Sequence, residues 1–257
     1  MTRVAITRAV SRALENCELT HLDRCAIDIG LARTQHAAYE QALRDAGCEV
    51  LALEELSDFA DSVFVEDTAV MLEEVAVLTR PGVPSRQGEV ESMATALVPF
   101  RRCMSIEAPA TLDGGDVLRL GRVIYVGASA RSNADGIAQL GRLVTPFGYG
   151  VVTVPMLGCL HLKTAVTQVA NDLLLINPAW VDARFFPGHH ILAVDSAEPF
   201  AGNAVWLGER VVYSASFPRT AQRLRDAGVD VRLVDMSETE KAEGGVTCCS
   251  VIFDFDE

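Results

Sequence analysis

The run from Glu243 to Phe253, Glu-Gly-Gly-Val-Thr-Cys-Cys-Ser-Val-Ile-Phe, places two thiols directly after a pair of glycines. The glycines free the backbone for a tight turn, and Val246 to Phe253 has the apolar, β-branched character of a strand. Successive strand residues face opposite ways, so of Cys248 and Cys249 one would face a pocket and the other the core. A thiol becomes a nucleophile when it loses its proton, a histidine moves protons near neutral pH, and a carboxylate can hold that histidine in one tautomer. His161 and Asp113 are available for those two parts. Alone, either cysteine reads as a small buried hydrophobe and His161 as a structural histidine; it is their combination that suggests catalysis. A second set narrows the ligand. Asp61, Glu66 and Asp67 would pair with a planar guanidinium through parallel charge-assisted hydrogen bonds, and Arg86 and Arg131 with a carboxylate. Acids at one end and arginines at the other describe an arginine-like amino acid.

These residues need elements that bring them together, and the chain repeats itself. Leu43-Arg-Asp-Ala-Gly-Cys-Glu-Val50 returns as Leu224-Arg-Asp-Ala-Gly-Val-Asp-Val231, each reading as a helix end, a glycine stop and a strand. A weaker copy runs from Leu143 through Gly148 into Val151–Val154. Hairpins recur at Ala69–Thr79, Val117–Val126 and Ala204–Tyr213, followed by loops that carry Arg86, Arg131 and Arg219 and then by helical patterns. The unit is hairpin, Arg-bearing loop, helix, glycine, strand. It can be placed five times, with Leu162–Ile176 as a degenerate hairpin and Val246–Phe253 as the last, closing on the first strand. Each unit leaves an apolar face for its neighbour, so the units pack around a common axis. The residues that precede each hairpin then converge there: Asp61 with Glu66 and Asp67, Asp113 with Asp116, His161, Asn203, and Cys248.

The 257 residues can bury a large core, and no Pro/Ser-rich linker divides them, which predicts one catalytic domain over 1–257. A net charge of −13 argues against nucleic acid or an anionic membrane as partner and favours a cationic small molecule. The uncharged stretch Leu143–Leu160 is interrupted by prolines and glycines and contains a strand pattern, which excludes a membrane span. Met1–Leu14 lacks the apolar core of a secretory signal, and Val4-Ala-Ile6 reads as a strand. The 7 cysteines form no CxxC and no zinc-spaced Cys/His cluster, which predicts reduced thiols, a cytoplasmic setting and no metal.

The segments Asp61-Ser-Val-Phe-Val-Glu-Asp67, Thr79-Arg-Pro-Gly82, Leu112-Asp-Gly-Gly-Asp-Val117, Leu160-His-Leu-Lys-Thr164 and Thr247-Cys-Cys-Ser-Val251 together resemble the dimethylarginine dimethylaminohydrolases of the guanidine-modifying superfamily. The resemblance covers nearly the whole chain. It implies the α/β pentein fold, a five-bladed pseudo-symmetric propeller, in agreement with the repeats. It implies Cys248 as nucleophile, His161 as proton donor and Asp113 as its partner. By the same resemblance Asp61, Glu66 and Asp67 hold the guanidinium and amino ends, Arg86 and Arg131 the carboxylate, and backbone carbonyls at Leu19 and Ala242 complete the pocket. The implied reaction is hydrolysis of asymmetric dimethylarginine or monomethylarginine to citrulline through a covalent thiouronium, without metal or organic cofactor, in a monomer or homodimer. Glu243 stands where Asp is usual, Gln87 where a second Arg is usual, and Glu15–Glu18 is one residue longer than the usual loop. Adjacent Cys248 and Cys249 are candidates for modification by nitric oxide or zinc. The alternatives are arginine deiminase, although His161-Leu-Lys163 lacks that family's His-x-Asp; a non-catalytic pentein binding module; and a papain-like protease, whose Cys-Gly-Ser-Cys-Trp context is absent.

Overall fold

The computed structural model describes residues 1–256. In chain order it runs β1 (Thr2–Arg8), α1 (Ile29–Asp45), β2 (Cys48–Leu53), β3 (Ala69–Met71), β4 (Val75–Leu78), α2 (Glu89–Leu97) and β5 (Arg102–Ser105). It continues with β6 (Val117–Leu120), β7 (Val123–Ala128), α3 (Ala134–Val144), β8 (Gly150–Pro155), α4 (Leu162–Ala165), β9 (Val166–Ala170), β10 (Leu173–Ile176) and β11 (His190–Ala193). The last elements are β12 (Ala204–Trp206), β13 (Arg210–Ser214), α5 (Pro218–Asp226), β14 (Asp230–Val234), α6 (Ser237–Glu240) and β15 (Val251–Phe255).

Among the described residues fifteen strands make five three-stranded sheets of identical topology, with orders β15-β1-β2, β3-β4-β5, β6-β7-β8, β9-β10-β11 and β12-β13-β14. In each the first two strands are antiparallel and the third lies parallel to the middle one. A parallel third strand requires a crossover. α1, α2, α3 and α5 supply it in four blades, and a single 3-10 turn, Ala183–Phe185, does so in the blade whose hairpin read as degenerate. The first blade is closed by pairing β15 with β1, Thr2 opposite Phe255 through Ile6 opposite Val251. The fold is therefore the five-fold pseudo-symmetric α/β propeller that the repeats predict. The glycine stops behave as read: Gly47 and Gly228 sit at φ +88° and +83°, in the left-handed region that ends a helix.

Hydrophobic clusters between neighbouring blades hold the propeller together. One joins Ala32, Tyr39 and Leu43 of α1 to Val205 and Val212 of the fifth blade and to Cys249, all buried. Fully burying a valine or leucine such as Val205, Val212 or Leu43 contributes about 1.5–3 kcal/mol. Among the described residues no helix is long and apolar enough to cross a membrane.

The strand expected from Val246 begins only at Val251. Residues 246–249 form a turn because their polar groups are engaged elsewhere. Thr247 N–H donates to Asn203 Oδ1, the Cys248 carbonyl accepts from Glu66 N–H at 3.1 Å, and Ser250 N–H closes back on the Thr247 carbonyl. Tyr39 Oη, at 2.7 Å from the Val246 carbonyl and 2.6 Å from Ser250 Oγ, anchors the turn to α1.

Candidate active site

A helical or 3-10 turn or a tight loop precedes the first strand of each blade, and the chemistry-bearing residues lie there. Glu66 and Asp67 lie in the 3-10 turn Val65–Thr68, Asp116 lies in Gly114–Asp116 with Asp113 at its N-cap, and His161 caps α4. Asn203 immediately precedes β12, and Cys248 occupies the turn before β15. One narrow cavity is lined by Cys248, His161, Asp61, Asp67, Arg86, Arg131, Ala242 and Phe64, together with Glu18, Leu160, Glu243 and Gly244. Cys248 and His161 thus meet although they lie 87 positions apart in the sequence.

Asp113 is fully buried; its Oδ2 lies 3.0 Å from His161 Nε2, and its Oδ1 accepts from Gly82 N–H at 2.8 Å. His161 Nδ1 faces Asp67 Oδ1 at 3.9 Å. Burial alone would lower the His161 pKa, but Asp67, Asp113 and Asp116 outweigh it and raise it to about 9. The imidazole therefore holds its proton at neutral pH. Asp67, with burial working against its ionisation, is held at about 2 by His161 and Arg86. The Cys248 thiol is pushed up to about 12 by burial and by the Glu66 and Asp67 carboxylates. Its sulfur accepts from Gly245 N–H at 3.3 Å. Cys249 is fully buried in the hydrophobic cluster beneath.

The charged residues divide differently from the sequence expectation. Arg86 is 4% exposed, and its guanidinium is committed: Nη1 to Asp67 Oδ2 at 2.6 Å, Nε and Nη2 to the two Glu89 oxygens at 3.1 and 2.9 Å, and Nη2 to the Phe64 carbonyl at 3.0 Å. Arg131, 7% exposed, carries no ion pair among the described residues; its Nη2 donates only to Thr20 Oγ1 at 3.1 Å. The two arginines expected as a matched pair are thus one structural cation and one free one, because Glu89, three residues after Arg86 at the start of α2, meets its guanidinium. Arg219, expected in the third Arg-bearing loop, lies instead in the first turn of α5, on the surface near Asp195. Among the acids, Asp61 faces the cavity, accepts from Glu18 N–H at 3.1 Å, and is shifted upward by burial against the opposing pull of Arg86. Glu66 instead turns away, Oε1 to Lys163 Nζ at 2.6 Å and Oε2 to Thr247 Oγ1 at 2.7 Å, and lines a separate axial cavity. Ala242 lines the active cavity, whereas the Leu19 side chain packs on the hydrophobic cluster and the flanking Glu18 and Thr20 reach inward.

Sequence reasoning assigned no role to Glu89, Lys163, Thr247 or Ser132, although Lys163 and Thr247 adjoin residues it singled out. In the sequence Asp116 stands out only as a companion of Asp113. It is fully buried, is raised to about 6 by burial, and accepts from Ser129 Oγ, Ser132 Oγ and the Leu162 N–H, fixing the backbone beside His161. Gly115 matters for space: a Cβ there would lie 2.7 Å from His161 Nδ1 and 2.8 Å from Asp67 Oδ1. Asp67, Asp113 and His161 bring three ligand atoms within 4.8 Å of one another, a grouping able to meet a metal ion. Their lone pairs are already turned to Arg86, Gly82, Gly115 and each other.

A sulfur, an imidazolium and carboxylates around a narrow cavity can run nucleophilic attack on a cationic carbon. Comparison with known proteins agrees in kind. A family model described as N,N dimethylarginine dimethylhydrolase, eukaryotic, matches residues 22–184. The N(G),N(G)-dimethylarginine dimethylaminohydrolase of Streptomyces coelicolor is 38% identical, over 97% of this chain and 96% of its own length. That of Pseudomonas aeruginosa is 34% identical over 98% and 100%. A solved structure of the Pseudomonas enzyme, a cysteine-to-serine mutant complexed with citrulline, superposes with a TM-score of 0.94 at 34% identity, covering 98% of this chain and 100% of that one. On this likeness, end to end in sequence and in fold, the chain belongs to the dimethylarginine dimethylaminohydrolase family.

Proposed function

We propose that the protein hydrolyses asymmetric dimethylarginine and monomethylarginine to citrulline and dimethylamine or methylamine. The observation that carries this reading is the meeting of Cys248, a protonated His161 and the carboxylates Asp61 and Asp67 in one cavity with the unpaired cation Arg131. The substrate guanidinium enters among the acids, and its α-carboxylate reaches Arg131. Asp61 and the carbonyls of Leu19 and Ala242 take the amino end, while Arg86 shapes the pocket through Asp67. The Cys248 thiol is neutral in the free enzyme; the arriving cation lowers its pKa and the proton leaves to solvent. The thiolate then attacks the guanidinium carbon. His161 gives its proton to the departing amine, the C–N bond breaks, and a thiouronium remains on sulfur. Asp113 holds the imidazole in place through this step, in which general acid catalysis is worth about 10²–10⁴-fold. The now neutral His161 takes a proton from water, the hydroxide adds to the same carbon, and as the thiolate departs the added hydroxyl loses its proton to solvent, so that citrulline is released and Cys248 is reprotonated.

Residues 1–257 act in this reading as one catalytic domain, as a monomer or homodimer. All seven cysteines are free, which supports a reducing, cytoplasmic setting. Nitric oxide control would act at Cys248, the member of the tandem pair that faces the cavity. The test is incubation of pure protein with arginine, monomethylarginine and asymmetric dimethylarginine, scoring citrulline and amine. The two methylated substrates are expected to be turned over with a kcat/KM at least tenfold that of arginine; preference for arginine would overturn the assignment in favour of a deiminase.

A further inference from the structure

We propose that Glu243 is a positioning residue that sets the amino-acid end of the pocket by clasping the loop above it. This rests on the substrate reading just given. The Glu243 carboxylate accepts three consecutive backbone N–H groups: Thr20 at 3.1 Å to both oxygens, His21 at 2.5 Å and Leu22 at 2.6 Å to Oε1. A carboxylate held by successive amides is an anion in a backbone nest, with both partners supplied by the chain itself. Glu243 is also the one non-glycine residue at positive φ among the described residues, at +60°. That conformation is uncommon for a Glu and persists only where its surroundings impose it. Here Glu243 N–H donates to the Glu240 carbonyl and Gly244 N–H to the Thr239 carbonyl, which fixes the turn and aims the side chain across at residues 20–22.

The clasped loop reaches both ends of the proposed substrate's backbone. Thr20 Oγ1 accepts from Arg131, the free cation, at 3.1 Å. Leu19 lies directly before it. Glu18 N–H donates to Asp61 Oδ2 at 3.1 Å, and Glu18 Oε1 accepts from Ser85 Oγ at 2.7 Å. Glu243 therefore joins the turn that follows α6 to the loop that carries the Leu19 carbonyl and meets Arg131. It also stands between two spaces, lining both the active cavity and an apolar cavity walled by His21, Leu22, Phe200 and Phe217. Loss of the carboxylate frees three N–H groups, and the loop no longer divides the two. The geometry of Cys248, His161 and Asp113 involves none of these bonds.

The role separates recognition of the amino-acid end from the chemistry. Glu243→Ala should raise the KM for asymmetric dimethylarginine at least tenfold while kcat stays within threefold. The competitive inhibition constant of an N,N-dimethyl-N′-alkylguanidine lacking the α-amino and carboxylate groups should stay within threefold, because that ligand never reaches the loop. A smaller rise in KM, a kcat that falls further, or an inhibition constant that rises in parallel overturns the assignment. Glu243→Gln, which keeps the length and one acceptor oxygen, serves if the alanine variant does not fold; a KM rise of at least threefold with the same unmoved inhibition constant is then required. Citrulline release by the unmodified protein tests the reaction itself, so failure there is distinct from failure of the clasp.

Discussion

The ionisation of Cys248 is where the account commits to a number. Burial and the Glu66 and Asp67 carboxylates push its thiol from the ordinary 9.0 to about 12. At pH 8 a thiol titrating at about 12 is ionised roughly one part in 10⁴, against roughly one part in 10 for an ordinary one, a thousandfold smaller thiolate population. A more basic thiolate is a better nucleophile, with a Brønsted slope of about 0.4–0.5, which returns up to about thirtyfold over three pH units. Alkylation of the free enzyme by iodoacetamide should therefore run between about thirty and a thousand times slower than for an ordinary thiol. The logarithm of its rate should climb with unit slope from pH 7 to 10 without a plateau. Cleavage after Lys241 isolates a peptide holding Cys248 and Cys249 alone among the cysteines, so fragment masses assign the label. A bound guanidinium that is not turned over offsets the acids and should bring a plateau into the accessible range. A plateau in the empty enzyme with an apparent pKa well below 7 would refute the argument, because the carboxylates would then not be governing the sulfur.

Asp113→Asn leaves Oδ1 to accept from Gly82 but withdraws the charge that holds His161; kcat should drop about 10²–10⁴-fold with little change in KM, read by steady-state citrulline release. The raised His161 pKa adds stability that is complete below its ordinary 6.5 and disappears as pH rises through about 9, so the urea midpoint should fall between pH 6.5 and 9.5, with kcat/KM declining over the same upper limb. The arginines should part company. Arg131→Met should raise KM at least tenfold with unchanged thermal stability, whereas Arg86→Met strands Asp67 and Glu89 and should cost about 3–5 kcal/mol in unfolding experiments. Gly115→Ala pushes a methyl against His161 and Asp67 and should lower kcat at least tenfold while costing about 1–3 kcal/mol in stability.

Much of the architecture was legible because the same punctuation recurs, clearly in three units and weakly in the other two. The duplicated Leu-Arg-Asp-Ala-Gly, the hairpin turns at Glu73, Arg122 and Glu209, and the polar residues Asp67, Asp116 and Asn203 before them mark the units, and five copies leave few ways to pack. Turns that owe their shape to distant partners were not legible. Val246–Cys249 has strand composition, yet Asn203 and Glu66 take its backbone groups, so it coils and delivers Cys248 from a turn. Ion-pair partition was equally hidden: nothing in Arg86 or Arg131 tells which meets Glu89, since that depends on a 3-10 turn, Pro84–Arg86, setting Glu89 beside the guanidinium. Glu66 looked like a ligand for the guanidinium because it adjoins Asp67, but neighbours on a tight turn point apart, and its oxygens go to Lys163 and Thr247.

The central claim is that Cys248 carries the substrate carbon after the amine has left. Acid-quenched reactions with asymmetric dimethylarginine and with monomethylarginine, examined by intact mass and then by peptide fragmentation, test it directly. The account predicts the same added mass from both, since the groups that distinguish them depart first, and places it on Cys248. Adducts that differ by a methyl, or a label on Cys249, would contradict it.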